Sequence, residues 1–227
     1  MNFYKEIITN INDFKSAYDI KFEIDTIVID FSKQYKLEKL EKLGEWHKIK
    51  ESAMFYKKIE EKQKTHKSEK NKGKKITSAF QLKNKENKDY PIYYVNYYDY
   101  PRYYKAQLVM YGLHQYHKSE PPNNLKEQII KILKNISSID ICFDFPEKPK
   151  IWALERDFKV NKYRNTKTYY INNANHPMIK KICIYDKNDK DKLKFPAYRL
   201  EATIIIPDTK YLNLPLYEVN KVLKLIR

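Results

Sequence analysis

Glycine is scarce, with three residues in 227. Loops that cradle phosphates need glycines at fixed positions so that backbone N–H groups can approach the anion. No such run is present, which excludes ATP chemistry through a Walker loop. Cysteine is scarcer still. Cys142 and Cys183 are the only two; both fall in expected strands and read as core thiols, and a secreted disulfide scaffold is excluded. No apolar run approaches membrane-spanning length. The opening residues, Met1 to Glu6, lack the apolar core of a signal peptide. The expectation is a soluble, cytoplasmic protein with no membrane partner.

What is abundant is lysine and tyrosine. Apolar residues make up 42% of the chain, enough for a folded core. The length suits one domain spanning 1–227. Lys and Arg number 45 against 29 acidic residues, a formal charge of +16. That excess predicts attraction to polyanions, chiefly nucleic acid or an anionic membrane, and the charge alone does not choose between them. It is concentrated in a lysine field over 57–89, read as an insertion, loop or mobile arm. There Lys62, Lys64, Lys67, Lys70, Lys72, Lys74 and Lys75 offer phosphate contacts without sequence readout. A merely solvated loop would look the same.

Apolar spacing predicts a helix over residues 1–20, a strand over 21–31 and a helix over 33–66 weakened at Gly44. The segment 90–116 is dense in tyrosine and predicts two strands around a turn at 99–102. Arg102 and Lys105 interleave with aromatics there, a pattern that suits stacking on unpaired bases; surface packing by tyrosine is the plainer reading. His114 and His117 share a face only on a helix, and the segment reads as a strand end. Asn124 and Glu127 have capping-box spacing ahead of an apolar stripe ending near 135. Residues 147–166 read as irregular, with Trp152 and Leu154 as anchors. Strands punctuated by helices make the fold class α+β.

Three strands carry the chemistry: Ile139–Phe145, Lys181–Lys187 and Tyr198–Ile206. Side chains two apart share a face. Asp140, Cys142 and Asp144 therefore project together, as do Arg199, Glu201 and Thr203, and Cys183, Tyr185 and Lys187. Glu23 and Asp25, on the earlier strand, either approach a metal or face water.

The set Ser138-Ile-Asp-Ile-Cys-Phe-Asp144, Thr168-Tyr-Tyr-Ile171, Ile184-Tyr-Asp-Lys187 and Arg199-Leu-Glu201 resembles the replication initiation factor family of rolling-circle plasmids and related mobile-element relaxases. Members show an Arg-x-Asp-x-x-x-Asp strand, a Thr-x-Tyr-x-Gly-Ser turn, a Tyr-Asp-Lys strand and an Arg-x-Glu strand, in that order. The resemblance covers residues 136–207. Ser138 replaces the first arginine, and Asn172-Asn173 replaces Gly-Ser. The His-hydrophobe-His pair by which many DNA-nicking enzymes hold a divalent ion is absent from the chain. The resemblance implies a palm-like, ferredoxin-related, antiparallel-rich sheet backed by helices. It implies nicking of one DNA strand, a tyrosine link to the 5′ end, and resealing or transfer.

A phenol with a pKa near 10 is a weak nucleophile at neutral pH and needs assistance. Mg²⁺ or Mn²⁺ held by Asp140, Asp144 and Glu201 would supply it, because hard cations prefer oxygen ligands. Tyr185 is the favoured nucleophile, with Lys187 beside it to stabilise a phenolate or contact phosphate; Tyr169 and Tyr170 are the alternatives. Arg199 either serves the reaction or neutralises the carboxylates as a structural ion pair. The expected partner is DNA, single-stranded or locally melted at an origin. The C-terminal remainder is too short for a helicase domain, so any helicase would come from the host. A dimer is one option for the assembly. Three other readings remain: an origin-binding protein without catalysis, a metal-dependent nuclease or primase-like enzyme with no covalent tyrosine step, and an RNA-binding protein.

Overall fold

The computed structural model describes residues 3–32, 37–50, 75–83, 89–98, 105–113, 120–163, 167–171, 176–207 and 212–227. The chain divides into two compact units, one built from residues 1–3 and 26–136, the other from 4–25 and 137–227.

The first unit is an antiparallel sheet in the order β2-β3-β4-β5-β1. Its strands are β1 (Glu23–Ser32, entering this unit at Thr26), β2 (Glu45–Lys48), β3 (Lys75–Lys83), β4 (Asp89–Tyr98) and β5 (Lys105–Tyr111). Ile27, Ile29 and Phe31 pair with Met110, Leu108 and Ala106, and Leu108 in turn with Tyr94. One face is thereby apolar and buried. On the other, Gln107 donates to Asp30 at 2.9 Å. Helix α2 (Leu37–Glu41) and helix α3 (Asn123–Leu133) belong to the same unit.

Within the helix expected over 33–66, the described residues 37–50 form a single short helical turn followed by a strand. Gly44 accounts for the change: its φ is +157°, and a Cβ there would stand 3.1 Å from the Lys83 carbonyl. The backbone approaches β3 too closely for a helical surface, and Trp46 ties β2 down by donating its indole N–H to Leu40 O at 2.9 Å. Helix α3 begins at Asn123 with Pro122 as N-cap and no side-chain cap. The capping box therefore does not form, and Asn124 Oδ1 accepts from Leu125 N instead. The lysines from Lys62 to Lys74, together with Arg102, His114 and His117, lie outside the described residues. Lys75 opens β3 and Lys105 opens β5.

The second unit is an antiparallel sheet in the order β6-β10-β9-β8-β7. These strands are β6 (Ser138–Phe145), β7 (Val160–Lys162), β8 (Thr168–Ile171), β9 (Ile179–Asp186) and β10 (Tyr198–Ile205). Ile139, Ile141 and Phe143 pair with Ile204, Ala202 and Leu200, which pair on their other side with Ile179, Ile182 and Ile184. Helices back this apolar face. Helix α1 (Phe3–Tyr18) and α6 (Asn213–Ile226) each bury one stripe: Ile7, Ile11 and Phe14 from the first, Leu216, Val219, Leu223 and Ile226 from the second. Phe14 stacks on Phe22, and Phe22 meets Phe143 edge-on at 6.2 Å between ring centroids. An antiparallel sheet with helices on its apolar face and polar residues on the other is α+β and consistent with a palm-like arrangement. The segment expected to be irregular holds β7 and a short helix, α4 (Ile151–Leu154). Leu154 is a buried anchor there, whereas Trp152 is 73% exposed. Both cysteines are buried and unpaired to each other.

Candidate active site

Directly paired residues of an antiparallel sheet project to the same side, so the register defines rows across the polar face of the second unit. Thr168, Tyr185, Arg199 and Asp144 form one row. Tyr170, Cys183, Glu201 and Cys142 form the next. Lys181, Thr203 and Asp140 form the third. The three chemistry-bearing strands thus present their polar sides together. Tyr169 pairs with Ile184 and lies on the apolar side.

Arg199 anchors the first row and is 1% exposed. Its Nε donates to Asp144 Oδ1 at 2.5 Å and its Nη2 to Asp144 Oδ2 at 2.7 Å. Its Nη1 donates to Asp25 Oδ1 at 3.0 Å. The planar fork matches a carboxylate through two parallel bonds and still reaches a second acid. Burial opposes the guanidinium charge, but the bonds to Asp144 outweigh it and the pKa is raised. Of the two readings of Arg199, the ion pair is the one the geometry contains. Asp25 is part of it, and Glu23 pairs with Lys15 at 2.9 Å.

Glu201 organises the second row. The Tyr185 hydroxyl donates to Glu201 Oε2 at 3.1 Å, and Lys181 Nζ donates to Glu201 Oε1 at 3.2 Å. Burial pushes the Tyr185 phenol well above its usual range, and the Glu201 charge pushes it further. Burial works against the Lys181 charge, yet the pKa is raised by the neighbouring Cys183 and by the Glu201 and Asp140 carboxylates. The Cys142 thiol is driven up chiefly by burial and stays protonated. Lys181 was not among the expected site residues. Its signal was present, because it alternates with Cys183 and Tyr185 along one strand.

Lys187 is not a strand residue. β9 ends at Asp186, whose side chain caps α5 (Lys187–Asp191) by accepting from Asp189 N. Lys187 opens that helix, is 1% exposed, and its N–H donates to Ala197 O at 2.8 Å. It therefore does not extend the Tyr185 row.

Asp140, Asp144 and Glu201 share the face but not a ligand shell. Asp140 and Asp144 lie four residues apart on one strand, about 13 Å between Cα atoms at the usual rise. Oxygen ligands of Mg²⁺ or Mn²⁺ sit about 2 Å from the ion. Asp144 also has both oxygens on Arg199. Among the described residues, no three His, Cys, Asp or Glu side chains are grouped to hold a metal.

No family model matches the sequence, and no curated protein matches it. Among solved structures the chain is similar to a rolling circle replication initiator protein from Geobacillus stearothermophilus. Sequence identity is 18%, the match covers 89% of this chain and 80% of that one, and the TM-score is 0.49. This is a weak likeness. No described helix is long and apolar enough to cross a membrane.

Proposed function

We propose that the chain nicks and rejoins a DNA strand in the manner of a rolling-circle replication initiator, with Tyr185 as nucleophile and Glu201 as the group that takes its proton. The observation that carries this reading is the 3.1 Å hydrogen bond from the Tyr185 hydroxyl to Glu201. The order of the four motifs supports it. A phenol this strongly held in its protonated form does not ionise in advance. Its proton passes to Glu201 as the oxygen bonds to phosphorus, which is general-base assistance of a covalent nucleophile. The phosphodiester bond to the 3′ oxygen breaks, and the proton on Glu201 is available to the departing oxygen. The product is a 5′-phosphotyrosine and a free 3′ hydroxyl, and the reverse sequence reseals the strand. Lys181, on the other oxygen of Glu201, stands where it can meet charge growing on the phosphate.

A second reading is an origin-binding protein without catalysis. It is favoured by the burial of Tyr185, which is 7% exposed, and by the engagement of both Asp144 oxygens with Arg199. The two readings part in one experiment. The protein is incubated with a 3′-labelled, random-sequence single-stranded DNA pool, with and without Mn²⁺, and resolved in denaturing detergent. A slow band that survives boiling is the covalent intermediate. Binding without that band, in both conditions, favours the second reading.

Either reading needs DNA, and the net charge of +16 makes the binding electrostatic. Affinity for duplex DNA should fall with salt at a log–log slope of about −0.9 for each phosphate neutralised. Deleting residues 62–75 should make the slope shallower and weaken all sequences alike. An unchanged slope would remove that segment from the interface.

A further inference from the structure

We propose that Tyr163 and Tyr170, at the outer edge of the polar face, form a stacking ledge for one unpaired nucleobase of the DNA strand that enters the Tyr185 site; the role assigned to that site rests on the proposed function.

Three observations place the ledge. Tyr163 N donates to Thr168 O at 2.8 Å, which closes the β7–β8 hairpin and sets Tyr163 opposite Thr168. Thr168 belongs to the Tyr185 row, so Tyr163 projects to the polar side. Tyr170 belongs to the Glu201 row, and its ring meets Tyr163 edge-on at 5.9 Å and 74°. Tyr163 is 48% exposed; Tyr18, Trp152, Phe195 and Tyr217 of the same unit are exposed too, and Tyr163 is set apart by its edge-on contact with Tyr170 on the polar side. An edge-on pair holds one ring still while leaving a face of the other for a further aromatic. Burial raises the Tyr170 phenol, so the ring is neutral at physiological pH and does not repel a phosphodiester.

The neighbouring charge selects the ligand. Lys181 precedes Cys183 by two positions on β9, and Cys183 pairs with Tyr170. The Lys181 side chain is 37% exposed while bonded to Glu201. An aromatic ledge beside a partly exposed ammonium suits a base with its phosphate, and suits neither a bare anion nor an apolar peptide. Bases have π-faces of similar size, so the ledge would tolerate any of the four and position the strand without choosing the sequence.

Fluorescence anisotropy with a short labelled oligothymidylate tests the ledge without requiring cleavage. Comparison oligonucleotides carry one abasic position, moved stepwise along the strand. Tyr163→Ala should weaken binding of the intact strand by about 5- to 160-fold, the range that loss of one base–aromatic stack gives. Tyr163→Phe should restore it. One abasic position should cause the same loss in the parent protein, and Tyr163→Ala should add nothing further on that strand. Unchanged affinity in Tyr163→Ala, or a loss that is the same on every abasic strand, would overturn the ledge. Tyr185→Phe should keep the abasic preference in full. A parent protein that shows the abasic preference yet never forms a covalent adduct would refute the nicking chemistry and leave the ledge standing.

Discussion

Tyr185→Phe should bind single-stranded DNA as the parent does and form no detergent-stable adduct. The substitution removes one oxygen and leaves the ring in its row between Thr168 and Arg199. It also removes one hydrogen bond to Glu201, which still accepts from Lys181. The stability cost of such a bond is about 1 kcal/mol, small against a fold of this size. Loss of the adduct with the fold intact would therefore report chemistry. Tyr169→Phe should retain the adduct, because Tyr169 lies on the opposite side of the sheet. Tyr170→Phe should retain it too, because its role is aromatic and the ring remains.

Removing the Arg199 guanidinium should destabilise the protein more than any change at Tyr185. Arg199→Met strands two carboxylates, Asp144 and Asp25, that it now neutralises with three hydrogen bonds. Leaving a buried charge without its partner costs about 3–5 kcal/mol. The urea midpoint should fall accordingly, and Arg199→Lys should rescue little, since a point charge cannot reproduce the fork. Replacing both acids with neutral residues in the Arg199→Met background should recover much of the loss. A single Arg199→Met that unfolds at the parent midpoint would show the cluster to be dispensable. The same argument covers Asp144→Asn. Asp144 faces a guanidinium that is 1% exposed, so the change removes structural charge pairing along with any role in chemistry, and its activity loss must be read against its stability loss.

Three strands of the second unit, β6, β9 and β10, were legible because their residues alternate, whereas β7 lay in a segment read as irregular. Ile139, Ile141 and Phe143 against Asp140, Cys142 and Asp144 is a period-two pattern that only a half-polar strand explains. Alternation gives a face to each residue, but it does not say which rows meet across strands. The pairing of Tyr185 with Arg199, and of Cys183 with Glu201, depends on register, which the loops around Asn172 and Lys192 do not reveal. Asp25 was legible as a strand residue and not as a partner, since Arg199 is 174 positions away. Lys187 was misplaced because its motif reads as one unbroken strand. The backbone turns into a helix where Asp186 caps it. β2 was hidden in a stripe of Leu37, Leu40 and Leu43 that fits helical spacing, and the close approach of Gly44 to β3 is a tertiary fact.

The most direct measurement is the identity of the tyrosine joined to DNA. The detergent-stable band is isolated from the parent protein, digested with nuclease and protease, and its nucleotide-bearing peptide is sequenced by mass spectrometry. The account predicts phosphodiester-linked nucleotide on Tyr185 within the peptide that contains Ile182, Cys183 and Ile184. Attachment to Tyr170, or to any tyrosine outside the polar face of the second unit, would contradict it.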